Sequence, residues 1–132
     1  MEPFERHPHL RFRFGHDRSS SRVARQILRP IARRGARADD VLLATSELVT
    51  NVVKHTDDGG ELNAWLEPGG ALLVEVHDTD PTLPTIIEPT AGGGRGLRIL
   101  DALADEWGAA TTEAGKVVWA RFQPRLSLVA DT

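Results

Sequence analysis

An alternation of apolar and polar side chains occurs at three places along the chain, and its two-residue period predicts β-strands. The first stretch is 10–14, where Leu and Phe alternate with Arg. Two further stretches, 62–66 and 72–76, flank the turn signal Pro68-Gly69-Gly70 and predict a hairpin. A last hairpin is expected between about residues 107 and 122. The strands therefore fall into one single stretch and two hairpins.

Three helices are predicted where apolar residues recur every three to four positions. The first follows the serines at 19–21, which favour a helix N-terminus, and Gly35 favours its end. Pro30 is expected to kink or shorten this helix because proline has no backbone N–H. The second helix should run from residue 39 or 40 to about 55, and the third covers about 97–104.

The predicted order of elements is one strand, two helices, a hairpin, a helix and a second hairpin, which favours an α+β fold. We expect a two-layer sandwich, with helices covering one face of a mostly antiparallel mixed sheet. The 132 residues fit a single domain, 1–132, whose core lies at about 10–122.

Composition narrows the classes of function. The chain has no cysteine, which excludes disulfides, thiolate metal sites and cysteine nucleophiles. A formal net charge of −3 creates no field that favours nucleic acid or an anionic membrane. Arg33, Arg34 and Arg37 are interpreted as the solvated end of a helix. No signal-peptide core or bilayer-spanning apolar run is found, so we expect a cytoplasmic protein.

Four polar residues are expected on one side of the second helix. Glu47 and Asn51 are four positions apart, and Lys54 and His55 follow one turn later. A carboxylate, an amide, an ammonium and an imidazole placed together can hold a metal-bound triphosphate and activate an attacking hydroxyl. The alternative is a solvated helix face, because polar pairs at this spacing are common on exposed helices.

Two further segments carry candidate chemistry. Asp78 ends an apolar strand, where a carboxylate can accept a hydrogen bond from an exocyclic amine such as that of adenine; the alternative is a turn aspartate. The glycine-rich segment 92–97 precedes a helix whose free N–H groups suit phosphate; the alternative is a flexible loop. This segment is neither a Walker A loop nor a dinucleotide fingerprint.

Taken in order, these segments resemble the N, G1 and G2 boxes of the Bergerat-fold ATPases, the group of gyrase, the heat-shock chaperones, MutL and the histidine kinases. Residues 47–51 are similar to the N box, and Asp78 stands at the adenine-binding aspartate of the G1 box. Gly94-Arg95-Gly96-Leu97 is similar to the G2 box, and 115–119 to the closing Gly-x-Thr strand. The short length resembles the stand-alone serine/threonine kinases of the anti-sigma-factor type.

The resemblance implies ATP and Mg²⁺ as cofactors. Asn51 would coordinate Mg²⁺, and Glu47 would be the general base that takes a proton from a partner's serine or threonine hydroxyl. Asp78 would bind the adenine amine, and Lys54 and His55 would support the phosphates. The residues implied to line the triphosphate are Gly94, Arg95, Gly96 and Leu97.

Two departures from the family pattern affect the adenine side. The family G1 box continues Asp-x-Gly-x-Gly, whereas Asp80 and Thr82 stand at the glycine positions. The closing strand usually carries a threonine that helps to hold adenine through water, and Val117 occupies that place. We therefore expect weak ATP binding, which a threonine at position 117 should tighten.

The leading hypothesis is an ATP-dependent serine/threonine kinase that acts on a small regulatory partner, such as an anti-anti-sigma factor. The alternative is a non-catalytic binding module that sequesters a sigma factor or a similar protein, with weak or no nucleotide binding. Phosphate transfer separates the two. A metal-free hydrolase is disfavoured because no Gly-x-Ser-x-Gly elbow or Ser/His/Asp set can be placed. The partners implied exclude nucleic acid and membrane, and a homodimer is allowed.

Overall fold

The computed structural model describes residues 8–35, 37–84 and 95–124. Over these ranges the helices and strands follow the predicted order. The elements are β1 (Leu10–Phe14), α1 (Ser20–Ala32), α2 (Ala38–His55), β2 (Gly60–Leu66), β3 (Leu72–Asp78), α3 (Arg95–Leu103), β4 (Glu106–Thr111) and β5 (Lys116–Phe122).

The strands form one sheet in the spatial order β1-β2-β3-β5-β4. Every neighbouring pair in the described part of the chain is antiparallel, which refines the expected mixed sheet to an antiparallel one. The α+β prediction is confirmed. Strand β5 lies between β3 and β4, so the last hairpin joins the sheet through its second strand. This order places the start of β5 directly beside the end of β3.

The core lies between the helices and one face of the sheet. Cross-strand partners point to the same face, and the pairs Val74–Ala120 and Val76–Val118 are all buried in the core cluster. Helix α2 contributes apolar residues at helical spacing to the same cluster, and burying each of its Val or Leu side chains stabilises the fold by roughly 1.5–3 kcal/mol. The buried apolar residues of α2 are Val41, Leu42, Ala44, Leu48, Val49 and Val52.

The ends of α1 test two predictions. Pro30 lies in the last turn of the helix, which ends two residues later at Ala32, so the expected shortening is confirmed. The N-cap residue is Ser19, as the serines predicted, but its side chain makes no capping hydrogen bond with the described residues. Instead, the carboxylate of Asp17 accepts hydrogen bonds from the backbone N–H and the hydroxyl of Ser19, both at 2.9 Å. This Asx turn precedes the first turn of the helix.

Arg37 was interpreted as a solvated helix end, and this prediction is wrong. Its side chain is only 12% exposed and lies between α2, α3 and β5. The guanidinium donates to Asp40 Oδ2 at 3.1 and 3.2 Å, to Asp105 Oδ2 at 2.6 Å and to the carbonyl of Leu103. A planar guanidinium with five donors suits such a junction because it can serve several acceptors at once.

Candidate functional site

The predicted polar residues of α2 lie away from the core. Glu47 and Asn51 are half-buried, whereas Lys54 and His55 are exposed in the last turn of the helix. Neither the Glu47 carboxylate nor the Asn51 amide forms a hydrogen bond with another residue that the structure describes. A helix face that carries unpartnered polar groups beside a packed core is available to a ligand with complementary charge.

The end of α2 and the end of β3 lie at the same end of the sheet. Gly60, which opens β2, pairs directly with Asp78. The hydroxyl of Thr79 donates to Asp58 Oδ2 at 3.1 Å and so joins the turn after α2 to the strand end. The turn comes close because Gly59 adopts a φ of 73°, and a Cβ there would lie 2.0 Å from the carbonyl oxygen of Phe14. The tertiary structure therefore brings the turn that follows α2 to the strand end that carries Asp78.

Asp78 is buried at this end of the sheet, with 5% of its side chain exposed, and it is paired with Lys116. The Lys116 ammonium lies 2.9 Å from Asp78 Oδ2 and 3.0 Å from Oδ1. It also donates to the carbonyl oxygen of Asp80 at 3.1 Å. Lys116 could not be identified from the sequence, because only the pairing of β3 with β5 places it opposite Asp78.

Gly115 packs against the backbone that carries Asp78. A Cβ at position 115 would lie 2.1 Å from the carbonyl oxygen of Asp78 and 2.5 Å from the carbonyl carbon of Thr79. Real Cβ atoms do not approach a backbone this closely, so only glycine fits between the β4–β5 turn and the end of β3. The glycine at the start of the closing strand thus fixes the position of Asp78 relative to Lys116.

Asp80 and Thr82, which replace the family glycines, lie in two consecutive Asx turns that are opened by Asp78 and Asp80. The N–H of Asp80 donates to Asp78 Oδ1 at 2.9 Å, and the N–H of Thr82 donates to Asp80 Oδ1 at 2.9 Å. The Thr82 backbone N–H, followed by its side-chain hydroxyl, holds the pKa of Asp80 below its ordinary value of 3.8, and the charges of Lys116 and His55 act in the same direction. The carboxylates of Asp78 and Asp80 thus restrain the backbone of the loop after β3, which glycines at positions 80 and 82 would leave more flexible.

The structure corrects the assignment of Val117. Val117 pairs with His77, whereas Asp78 pairs with Lys116, so Val117 and Asp78 lie on opposite faces of the sheet. Val117 is buried on the face away from the helices, with 6% of its surface exposed. Val117 therefore does not lie beside Asp78, contrary to the expectation, and the residue of the closing strand that does is Lys116.

The segment resembling the G2 box lies only partly within the described residues. Gly92, Gly93 and Gly94 are outside them, and Arg95 and Gly96 open α3. Leu97 is 6% exposed and belongs to the core cluster, so its side chain is not available to a nucleotide. Any contact of Leu97 with phosphate would have to come from its backbone N–H.

Two surveys of the described residues bear on the class of site. In residues 8–35, 37–84 and 95–124, no three or more His, Asp or Glu side chains cluster closely enough to hold a metal ion. None of the helices seen in that part of the chain is both long and apolar enough to cross a membrane.

These features define a class: an α+β domain of the histidine-kinase-like ATPase fold. The chain matches the family described as "Histidine kinase-like ATPase domain" over residues 15–122. Because this match covers most of its length, the chain belongs to that family.

Similar proteins extend this finding. An uncharacterised protein of Streptomyces coelicolor is 38% identical over 69 residues, which make up 48% of this chain and 66% of that protein. The structure of the RsbU and RsbW domains of Rv1364c from Mycobacterium tuberculosis superposes with a TM-score of 0.67 at 23% identity, over 86% of this chain and 32% of that one. The chain thus spans less than two thirds of each of these relatives.

A second solved structure is the histidine kinase domain of a blue-light activated histidine kinase from Erythrobacter litoralis. It superposes with a TM-score of 0.52 at 21% identity, over 79% of this chain and 59% of that one. At these identities, the two solved structures support the fold.

Proposed function

We propose that this chain binds Mg-ATP at the end of the sheet where α2 and β3 end, and transfers the γ-phosphoryl group to a hydroxyl of a regulatory protein partner. The observation that carries the proposal is that Glu47 and Asn51, on a half-buried face of α2, have no hydrogen-bond partner among the residues that the structure describes. Membership of the ATPase family supports the nucleotide. The likeness to a chain that contains an RsbW domain is consistent with a regulatory partner such as a sigma factor or an anti-anti-sigma factor.

The residues present fit a magnesium ion held mainly by the nucleotide. Mg²⁺ prefers oxygen ligands and is usually bound by one or two protein oxygens together with substrate phosphates. The amide oxygen of Asn51 would supply one such ligand, which agrees with a site that lacks a cluster of acidic metal ligands in the described residues. When bound, the ion would neutralise charge on the phosphates.

Glu47 would act on the attacking group. Its carboxylate lies one helical turn before Asn51 and forms no hydrogen bond with any described residue. It would accept the proton of the partner's serine or threonine hydroxyl while the hydroxyl oxygen forms a bond to the γ-phosphorus. The bond from that phosphorus to the β-phosphate oxygen breaks in the same transfer, and ADP leaves. Catalysis would depend mostly on positioning and charge stabilisation.

A calorimetric titration with Mg-ATP tests the nucleotide site. We expect binding by the wild type and its loss in Asn51→Ala, with the fold intact because alanine favours a helix. Gln26→Ala is the matched control, since it removes an exposed amide from α1 and should leave binding unchanged. Equal affinity in wild type and Asn51→Ala would overturn the assignment of this face.

A binding module that sequesters its partner without phosphate transfer is the second candidate. The ion pair between Lys116 and Asp78 favours it, because the carboxylate implied to read adenine already has a partner. Transfer of labelled γ-phosphate from ATP to a co-expressed partner decides between the two. A stable complex without any transfer would select the binding module.

A further inference from the structure

We propose that Lys116 acts as an intramolecular latch, whose ion pair with Asp78 keeps the base of a nucleotide from the Asp78 carboxylate. This inference rests on the proposed function. The latch consists of the Lys116 ammonium, the Asp78 carboxylate and the backbone of Asp80. The ammonium contacts both carboxylate oxygens, at 2.9 and 3.0 Å, and the Asp80 carbonyl oxygen at 3.1 Å. Both side chains are largely buried, with 12% of Lys116 and 5% of Asp78 exposed.

The latch leaves little room for a base on the carboxylate. A carboxylate offers about four lone-pair positions. Oδ1 of Asp78 accepts hydrogen bonds from both Lys116 and the Asp80 N–H, and Oδ2 lies 2.9 Å from the same ammonium as its ion-pair partner. A neutral exocyclic amine is a weaker donor than an ammonium, since charge-assisted hydrogen bonds are about twice as strong as neutral ones. The amine of adenine therefore cannot displace Lys116 by the strength of its own hydrogen bond.

The contacts of Lys116 indicate that a bound base would have to displace the ammonium from Asp78 rather than share the carboxylate with it. The Lys116 ammonium donates hydrogen bonds to Asp78 Oδ1 and to the Asp80 carbonyl oxygen, and it lies 2.9 Å from Asp78 Oδ2. The protons that make these contacts are not available to a ring nitrogen of the base. Base recognition would require the flexible lysine stem to move the ammonium away, and the affinity seen in solution falls with the fraction of molecules in that open state.

The position of the latch in the sheet explains why it holds. Lys116 is the first residue of β5 and pairs with Asp78, the last residue of β3. Gly115 seats the preceding turn against the Asp78 backbone, where a Cβ would come within 2.1 Å of the carbonyl oxygen. The two charged groups are thus held together by strand pairing, and their contact does not depend on a mobile loop.

Base selectivity is the readout that tests the latch. Binding of Mg-ATP is compared with that of inosine triphosphate, which carries a carbonyl oxygen where ATP carries the exocyclic amine. With the latch closed, the wild type should bind the two nucleotides about equally. Lys116→Met keeps the stem and removes the charge, and it should prefer ATP by roughly tenfold to a hundredfold, the factor that a hydrogen bond to a charged group supplies.

Val117→Thr is the matched control, because it changes the next residue of the same strand on the opposite face and should keep the wild-type ratio. A wild type that already prefers ATP tenfold, or a Lys116→Met variant with no gain in preference, overturns the latch and leaves the proposed function standing. If no variant binds either triphosphate, the proposed function fails and the latch with it. Should Lys116→Met not fold, the ratio measured for the wild type decides alone.

Discussion

The guanidinium group of Arg37 lies over the aromatic ring of Phe122, 5.8 Å from the ring centroid. This contact joins the residue before α2 to the last residue of β5, two segments that are 85 positions apart in the chain (122 minus 37). Arg37 also donates hydrogen bonds to Asp105 and to the Leu103 carbonyl. Its contacts thus connect the start of α2 with the end of α3 and the end of β5.

Arg37→Ala should lower the free energy of unfolding by about 2–4 kcal/mol, because it removes several hydrogen bonds to a largely buried charged group. Urea denaturation followed by circular dichroism measures this change. Arg33→Ala is the control, since Arg33 is exposed at the end of α1 and its loss should shift the unfolding free energy by less than about 0.5 kcal/mol. Equal effects of the two substitutions would contradict the role given to Arg37.

Gly115→Ala should destabilise the fold by about 1–3 kcal/mol or more, the range for forcing an extra carbon into packed structure. The added methyl group would meet the backbone of Asp78 and Thr79, which cannot move as a side chain can. Gly15→Ala is the matched control, because nothing lies within 4 Å of a Cβ at that position. Thermal unfolding of both variants measures the difference, and a neutral Gly115→Ala would show that the turn is free to shift.

Glu47→Gln should keep Mg-ATP affinity and slow phosphoryl transfer by roughly 10²–10⁴-fold, the usual contribution of a positioned general base. The amide keeps the shape of the carboxylate but cannot take the proton. Single-turnover transfer from labelled ATP and calorimetry separate the two effects, and Glu106→Gln on exposed β4 is the control. Parallel losses of binding and transfer would assign Glu47 to the binding of the nucleotide instead.

The carboxyl of Asp17 should titrate below its ordinary pKa of 3.8, because the backbone N–H of Ser19, and then its hydroxyl, donate to the charged form. A lowered pKa in the folded state means that the contribution to stability is present above pH 3.8 and is lost as the pH falls through the folded value. An NMR titration measures this pKa directly.

Ser19→Ala provides the internal comparison for Asp17. It removes the hydroxyl donor and keeps the backbone N–H, so the pKa of Asp17 should move part of the way back towards 3.8. A pKa of 3.8 or above in the wild type would show that the Asx turn before α1 does not persist in solution.

The sequence by itself determined the order of helices and strands and the polar residues of α2. Strand alternation and helical spacing are local patterns, and they record which side of each element faces a core. Glu47 and Asn51 could be found in this way because four positions along one helix always place two side chains on the same side.

Only the tertiary structure decided which residue meets Asp78. The choice between Lys116 and Val117 depends on the insertion of β5 beside β3 and on its register, and a register shift of one residue moves every side chain to the other face. The burial of Arg37 could not be predicted from the sequence for the same reason, since its partners lie in or next to α3 and β5. Pairing between distant segments is fixed by the packing of the whole sheet, and no local pattern of apolar and polar residues encodes it.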